Sequence, residues 1–375
     1  MKLRISKKLL LEAMELVSRF VSRNSTLPIL ENIYISGNID TITLKATDMN
    51  KYIQVTMWAN IENEGALTVN ARSLLDIIRT IDEDEVLLEW KEDGSMLTLS
   101  TKSDKFDFVW ISANEYIAIP DLNKEGSTQI DAQVLSKWIE KVEYAISEKS
   151  FTTVITGILF KLQDKKMHFV GTDSFRLAEY TISVDTKDKF QLIVPKDAAN
   201  EMKKVADYFV ANDWTTVDIE YEKNLIWAKF ELDSMNIYIK SNLIQWTYPD
   251  YEKIIMSVHN SKLILDKTSF EKSVKKVTTF SKDINYFIKL IPDEDKLKIT
   301  SWLTDIGEGS TVMDLILDGD VISLWVNGKH ITDFIKNIEW EEIIMNIFDS
   351  EKPILLQDKS DDNYKYVIRP LKDEE

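Results

Sequence analysis

The groups able to take part in a reaction are sparse and far apart. Histidine occurs at His168, His259 and His330 only. Those spacings are far wider than the intervals of roughly three to five residues that place two imidazoles on one metal. Cysteine is absent, which excludes disulfides, thiolate nucleophiles and zinc–thiolate sites. No P-loop, G-x-S-x-G or G-x-G-x-x-G run occurs. Asp82-Glu83-Asp84-Glu85 holds adjacent carboxylates, but among 63 acidic side chains it reads as a solvated turn. Ten tryptophans raise the question of sugar stacking. However, Trp58, Trp90, Trp110 and Trp227 fall in strand patterns and read as sheet packing. The remaining chemistry is cationic. Lys272, Lys275 and Lys276 lie on one side of a helical repeat whose other side carries Phe270, Val274 and Val277. On one helix such a face reads as an ordinary solvated surface; repeated on several helices it would suit phosphate.

One pattern of elements supplies such faces three times: helix, strands, helix, strands, at a period of about 125 to 130 residues. The first copy opens with a helix over 7–21, with Leu9, Ala13, Leu16 and Phe20 on one face, and has a second helix over 71–81. The second copy has helices over 134–147 and 196–209, and the third over 269–282 and 329–338. Thr47-Asp48 and Thr172-Asp173 are 125 residues apart, as are Ala71 and Lys196, whereas Lys196 and Lys329 are 133 apart. Between the helices, apolar and polar residues alternate, so each copy predicts antiparallel sheets with one wet face and helices on the other. Linkers are expected over 121–129 and 254–262.

Net charge is −17, which by itself argues against a nucleic-acid partner. The distribution reverses that argument. Six helix windows (7–23, 71–81, 134–149, 196–204, 267–282 and 327–337) hold +9 over 80 residues, leaving −26 on the rest. If the helices share one cavity, that cavity is positive inside an anionic protein. Charges at Glu12 and Glu15 argue against a signal peptide, and no apolar run reaches the roughly 18 to 20 residues of a membrane span. A cytoplasmic location is expected.

TLPILENIYI (26–35), ATD (46–48), TVNARSLLDIIRTI (68–81), GTDSFRLA (171–178), IVPKDAANEM (193–202) and YPDYEKII (248–255) together resemble the bacterial DNA polymerase III beta subunit, the sliding-clamp family. The resemblance covers nearly the whole chain, in order. It implies an α+β fold of three repeated clamp domains, over 1–123, 128–254 and 258–375, each with two helices on antiparallel sheets. It further implies a head-to-tail homodimeric ring round double-stranded DNA, bound without regard to sequence. Neither cofactor nor metal nor active site is implied. A diverged relative that only binds other proteins is the alternative.

The resemblance also implies site residues. For DNA these are Arg19, Arg23, Asn24, Arg72, Arg79, Lys137, Lys141, Lys149, Lys196, Lys203, Lys272, Lys275, Lys276 and Lys336. A pocket for short peptides of the replicative polymerase, clamp loader and repair proteins would use Ile155, Thr172, Ser174, Phe175, Arg176, Leu177, Pro249 and Ile254, with Val367, Ile368, Pro370 and Leu371. Phe106 and Val109 would meet Thr279 and Phe280 of a second subunit, with Lys102 and Lys105 facing acids such as Asp305 and Glu308. Two departures bear on partner choice. The family's usual Gly-His before Arg is Ser174-Phe175 here. Its usual Met-Pro-Met/Val-Arg-Leu ending is Arg369-Pro370-Leu371-Lys372, followed by the acidic Asp373-Glu374-Glu375. In place of the aromatic residues some members carry before Gly157, this chain has Thr152, Thr153 and Val154.

Overall fold

The computed structural model describes residues 1–22, 25–90, 96–119, 123–148, 150–185, 188–212, 215–256 and 258–372. Among them are six α-helices: α1 (Lys7–Val17), α2 (Ala71–Thr80), α3 (Ala132–Glu143), α4 (Lys196–Val210), α5 (Lys267–Thr278) and α6 (Gly328–Lys336). Each overlaps a predicted helix, with ends shifted by up to four residues; α3 and α5 begin two residues earlier than expected. All six begin directly after a strand, and at four of them an Asx side chain accepts the first free backbone N–H groups: Asn70 from Ser73, Asp131 from Val134, Asp266 from Ser269, and Asn327 from Lys329 and His330. On α5 the predicted faces separate cleanly. Phe270, Val274 and Val277 are buried, and Lys272, Lys275 and Lys276 are exposed. Helix α1 is shorter than expected. It stops at Val17, its buried face centres on Leu10, Ala13, Met14 and Val17, and Leu9 sits half-buried beside that face.

The chain forms two compact units. One comprises Met1–Ser136 with Asp197–Leu243, the other Lys137–Lys196 with Ile244–Glu375. The central segment expected over 128–254 therefore contributes to both. Backbone ladders explain this. In the first unit, the strand Met235–Asn242 pairs with Lys51–Trp58 and joins the segments into one thirteen-stranded sheet. In the second, Arg176–Ser183 pairs with Asp361–Ile368 within a nine-stranded sheet, and a four-stranded sheet completes the unit. The named strand pairings are antiparallel, as the alternation predicts. The linker expected over 121–129 is shorter than that, because Gly126–Asp131 pairs with Thr216–Glu222 as a strand. Trp58 departs from expectation and is 60% exposed, whereas Trp90 and Trp110 meet edge to face at 5.0 Å.

The repeat is visible bond by bond. The Thr47 hydroxyl donates to the Lys51 carbonyl, and the Asp48 carboxylate accepts from the N–H groups of Asn50 and Lys51. In the second copy, 125 residues on, Thr172 donates to Arg176, and Asp173 accepts from Phe175 and Arg176. Met49 and Ser174 occupy the left-handed region at the same place, with φ of 75° and 77°. In the third copy Ser301 accepts from the Gly309 N–H, so the turn closes after eight residues instead of four. This longer loop accounts for part of the larger third offset.

Close packing of strand on helix leaves no room for a side chain at Gly171, where a Cβ would lie 2.4 Å from the Val142 carbonyl oxygen of α3. Gly171→Ala should therefore cost about 1–3 kcal/mol in urea unfolding, through forced displacement of α3. A change below about 0.5 kcal/mol would show that the contact relaxes freely.

Candidate peptide pocket, nucleic-acid face and subunit edges

On the nine-stranded sheet, strand register sets Thr172 opposite Leu177, Leu177 opposite Val367, and Val367 opposite Leu355. Three predicted pocket residues, Ile155, Leu177 and Val367, join one apolar cluster with Val154, Leu159, Val170, Ile193, Tyr248, Tyr251 and Leu355. Thr172, Ile368 and Pro370 are buried, and Leu371 is half-buried with its N–H donating to the Trp325 carbonyl. Ser174, Phe175 (58%) and Pro249 are exposed. Ile254 departs from expectation: it is 40% exposed and outside the cluster, which Ile255 borders instead. The two tyrosines were missed, although their signal lay in the YPDY motif, from which only Pro249 was taken. Tyr251 donates to the Glu179 carboxylate (3.0 Å), which also meets His168 Nδ1 (2.9 Å). Burial opposes the charge on Glu179, but His168, Lys365 and Tyr251 hold its carboxyl below the usual range.

Arg176 was expected as a pocket wall, yet its guanidinium is turned into the structure. It bonds Asp173 (2.9 Å) and Asp333 on α6 (2.7 Å) and lies over the Tyr144 ring. Burial would favour its neutral form. Tyr366, Asp333 and Asp173 outweigh that and raise its pKa further. Ser174 beside it takes the left-handed backbone that suits glycine, the residue usual in the resembling family.

The cation candidates divide sharply. Arg19 bonds Glu201 (2.8 Å), Arg79 bonds Glu15 (3.1 Å), Lys137 bonds Glu339 (2.7 Å), Lys203 reaches Asp207 (3.3 Å) and Lys275 bonds Glu271 (2.6 Å). Lys336 stands 4.0 Å from Asp333, and Arg72 3.8 Å from Asp76. Lys196 is half-buried, and Lys272 and Lys276 are exposed with no ion-pair partner among the described residues. Lys141 is a correction. It is buried, donates to the Asn337 carbonyl at the end of α6 and lies over the Tyr364 ring, so it is unavailable to phosphate. Burial pushes its ammonium below the usual lysine range. Arg23, Asn24, Lys149 and the Asp373–Glu375 tail lie outside the described residues. Ahead of Gly157, Phe151 presents a fully exposed ring one residue before the stretch that lacked aromatics.

Residues expected at a subunit contact lie on or near two strand edges that are open among the described residues. Lys105–Val109 pairs only with Met96–Ser100 among the described residues, and Trp110–Ser112 bonds Leu67–Val69. Val109 is 71% exposed, Phe106 is half-buried, and Lys102 and Lys105 are exposed. Lys105 approaches Asp107 on its own strand at 3.7 Å. Ser310–Asp314 is the edge of the four-stranded sheet, and Trp302, Leu303, Ile306 and Val312 beside it are exposed. Those four were not foreseen. Exposed Thr279, half-buried Phe280 and exposed Asp305 and Glu308 lie in the same unit, and the Phe280 carbonyl accepts from Thr304 (3.1 Å).

Residues 1–120, 129–250 and 252–372 match, respectively, the N-terminal, central and C-terminal domains of the DNA polymerase III beta subunit. The chain belongs to the DNA polymerase III beta subunit family. It is similar to the beta sliding clamp of Staphylococcus aureus, with 24% identity over 363 residues and 94% of each chain covered. Its fold is that of the Bacillus subtilis sliding clamp (TM-score 0.91, 21% identity, 99% of each chain). It is equally that of a Pseudomonas aeruginosa clamp solved with griselimycin (TM-score 0.90, 21% identity, 99% of each chain).

His330 on α6 gives this unit an acid limit. Burial, reinforced by Arg176, lowers its pKa from 6.5 to about 4. Between those values the unfolded chain binds the extra proton, so this contribution to stability is complete above about 6.5 and is lost as pH falls toward 4. His330→Gln should flatten the slope of unfolding free energy against pH in that window. An unchanged slope would place the acid sensitivity elsewhere.

Proposed function

We propose that the protein is a DNA sliding clamp. Two copies close head to tail into a ring round duplex DNA and keep a replicative polymerase on its template. The observation that carries this reading is the concentration of positive charge on repeated helices of an otherwise anionic chain with the clamp fold along its full length. Three domains over 1–123, 128–254 and 258–375 would each supply two helices to the lining. Exposed Arg72, Lys272 and Lys276, with Lys196, would meet phosphates. Arg19, Arg79, Lys137, Lys203, Lys275 and Lys336, tied to acids, would contribute weakly. Such contacts read no bases and let the ring slide. The open edges Lys105–Val109 and Ser310–Asp314 would pair between copies and cover Val109, Leu303, Ile306 and Val312. Short peptides of polymerase, clamp loader and repair proteins would dock at the apolar cluster beside Phe175 and Pro249. The role is non-catalytic and cytoplasmic.

The altered Ser174-Phe175 and Arg369-Pro370-Leu371-Lys372 favour a second reading, a relative that binds partners without serving a polymerase. Loader-dependent primer extension on a primed circular template separates the two. A clamp lengthens the products; an unchanged length distribution removes the clamp reading. Lys272→Glu with Lys276→Glu should lower the slope of log affinity against log salt by about 2 in DNA binding, at roughly 0.9 per phosphate contact. An unaltered slope would take α5 away from the DNA.

A further inference from the structure

The face of the sheet that carries the apolar cluster changes character over one step. On four neighbouring strands the residue two positions from a cluster member, and so on the same face, is charged or imidazole: Lys161 after Leu159, His168 before Val170, Glu179 after Leu177, and Lys365 before Val367. Register aligns them, with Lys161 opposite His168 and Glu179 opposite Lys365. The segment bearing Tyr248 and Tyr251 lies where the two regions meet. Its tyrosines belong to the cluster, while its Glu252 pairs with Lys161. A cavity of about 160 Å³ bounded by Leu159, Tyr248 and Tyr251 shares Lys161 and Glu252 with a second of about 450 Å³. The second is bounded further by Lys166, His168, Glu179 and Lys365.

We propose that this larger basin binds acidic side chains of a partner peptide whose apolar anchors occupy the cluster. The inference rests on the peptide-docking reading above. Its warrant is charge. The acids of the basin already have cations: Glu179 has His168 at 2.9 Å and Lys365 at 3.9 Å, Glu252 has Lys161, and Asp164 has Lys189 at 3.3 Å. Lys166 is exposed with no ion-pair partner among the described residues, and Lys365 is partly exposed beyond its contact with Glu179. With Nδ1 of His168 held at Glu179, its Nε2 is the nitrogen left for a ligand. The lining itself balances, Lys161, Lys166 and Lys365 against Asp164, Glu179 and Glu252, and Lys189 outside it holds Asp164, so one positive charge is left over, at Lys166 beside the apolar anchors; that excess favours carboxylates and disfavours basic flanks.

The test is fluorescence anisotropy with the full chain and a labelled synthetic nonapeptide bearing leucine and phenylalanine anchors. Four glutamates, four serines or four lysines extend it at either end. At about 50 mM salt the glutamate extension at one end should bind roughly 3- to 10-fold tighter than serine, the yield of one or two exposed charge pairs, and the lysine extension weaker. The gain should fade at about 0.5 M salt. Lys166→Gln with Lys365→Gln should bring the glutamate-to-serine ratio to one, and Lys166→Glu alone should push it below the wild-type value. Equal binding of glutamate and serine peptides at both ends, or a ratio that survives the glutamine substitutions, would overturn the basin while leaving the pocket intact. Failure of the serine peptides themselves to bind would overturn the pocket, and the basin with it.

Discussion

Two antiparallel ladders between distant parts of the chain support everything else. Met235–Asn242 bonds Lys51–Trp58, and Arg176–Ser183 bonds Asp361–Ile368. Each fuses segments belonging to different copies of one pattern into a single hydrogen-bonded sheet. A buried ladder cannot slip by one residue without turning its apolar side chains to solvent, so register is held firmly. The second ladder also composes the peptide region, because it sets Leu177 opposite Val367 and Glu179 opposite Lys365. Pocket and basin are thus consequences of the same pairing that joins the segments. In the proposed ring, the open edges at Lys105–Val109 and Ser310–Asp314 would offer the same kind of bond to another copy.

Charge follows a second constraint. A protein that holds DNA yet moves along it needs attraction that is diffuse and easily exchanged. Many cations on or just past the helices are already committed: Arg19 to Glu201, Arg79 to Glu15, Lys275 to Glu271. These exposed pairs add little stability each. They do leave lysines without a salt bridge among the described residues on α5, at Lys272 and Lys276. Lys141 shows the opposite use of a cation on the same kind of helix, buried to hold the end of α6 through the Asn337 carbonyl.

Periodicity made the helices legible because their apolar faces repeat every three or four residues, and the strands because they alternate. The duplicated Thr-Asp turn was visible as letters at 47–48 and 172–173, and its bonds repeat as well. What spacing could not give was partnership. Nothing in the sequence near Lys141 announces the Tyr364 ring, which lies 223 residues away in the chain, and nothing near Arg176 announces Asp333. The tyrosines of YPDY were readable as a motif but not as cluster members, since their packing is set by Val170 and Glu179 on other strands. The exposed residues at 302–306 were hidden for a further reason: they occupy a turn longer than its two counterparts, so the repeat offered no template for them.

Topological linkage of ring and DNA can be measured without a polymerase. Clamp placed by a loader on a nicked circular plasmid is passed through gel filtration at high salt before and after the plasmid is cut once. A linked ring stays with the circle despite screened phosphates and leaves when an end is made. Loss from the intact circle at high salt, or equal retention on circle and linear DNA, would contradict it.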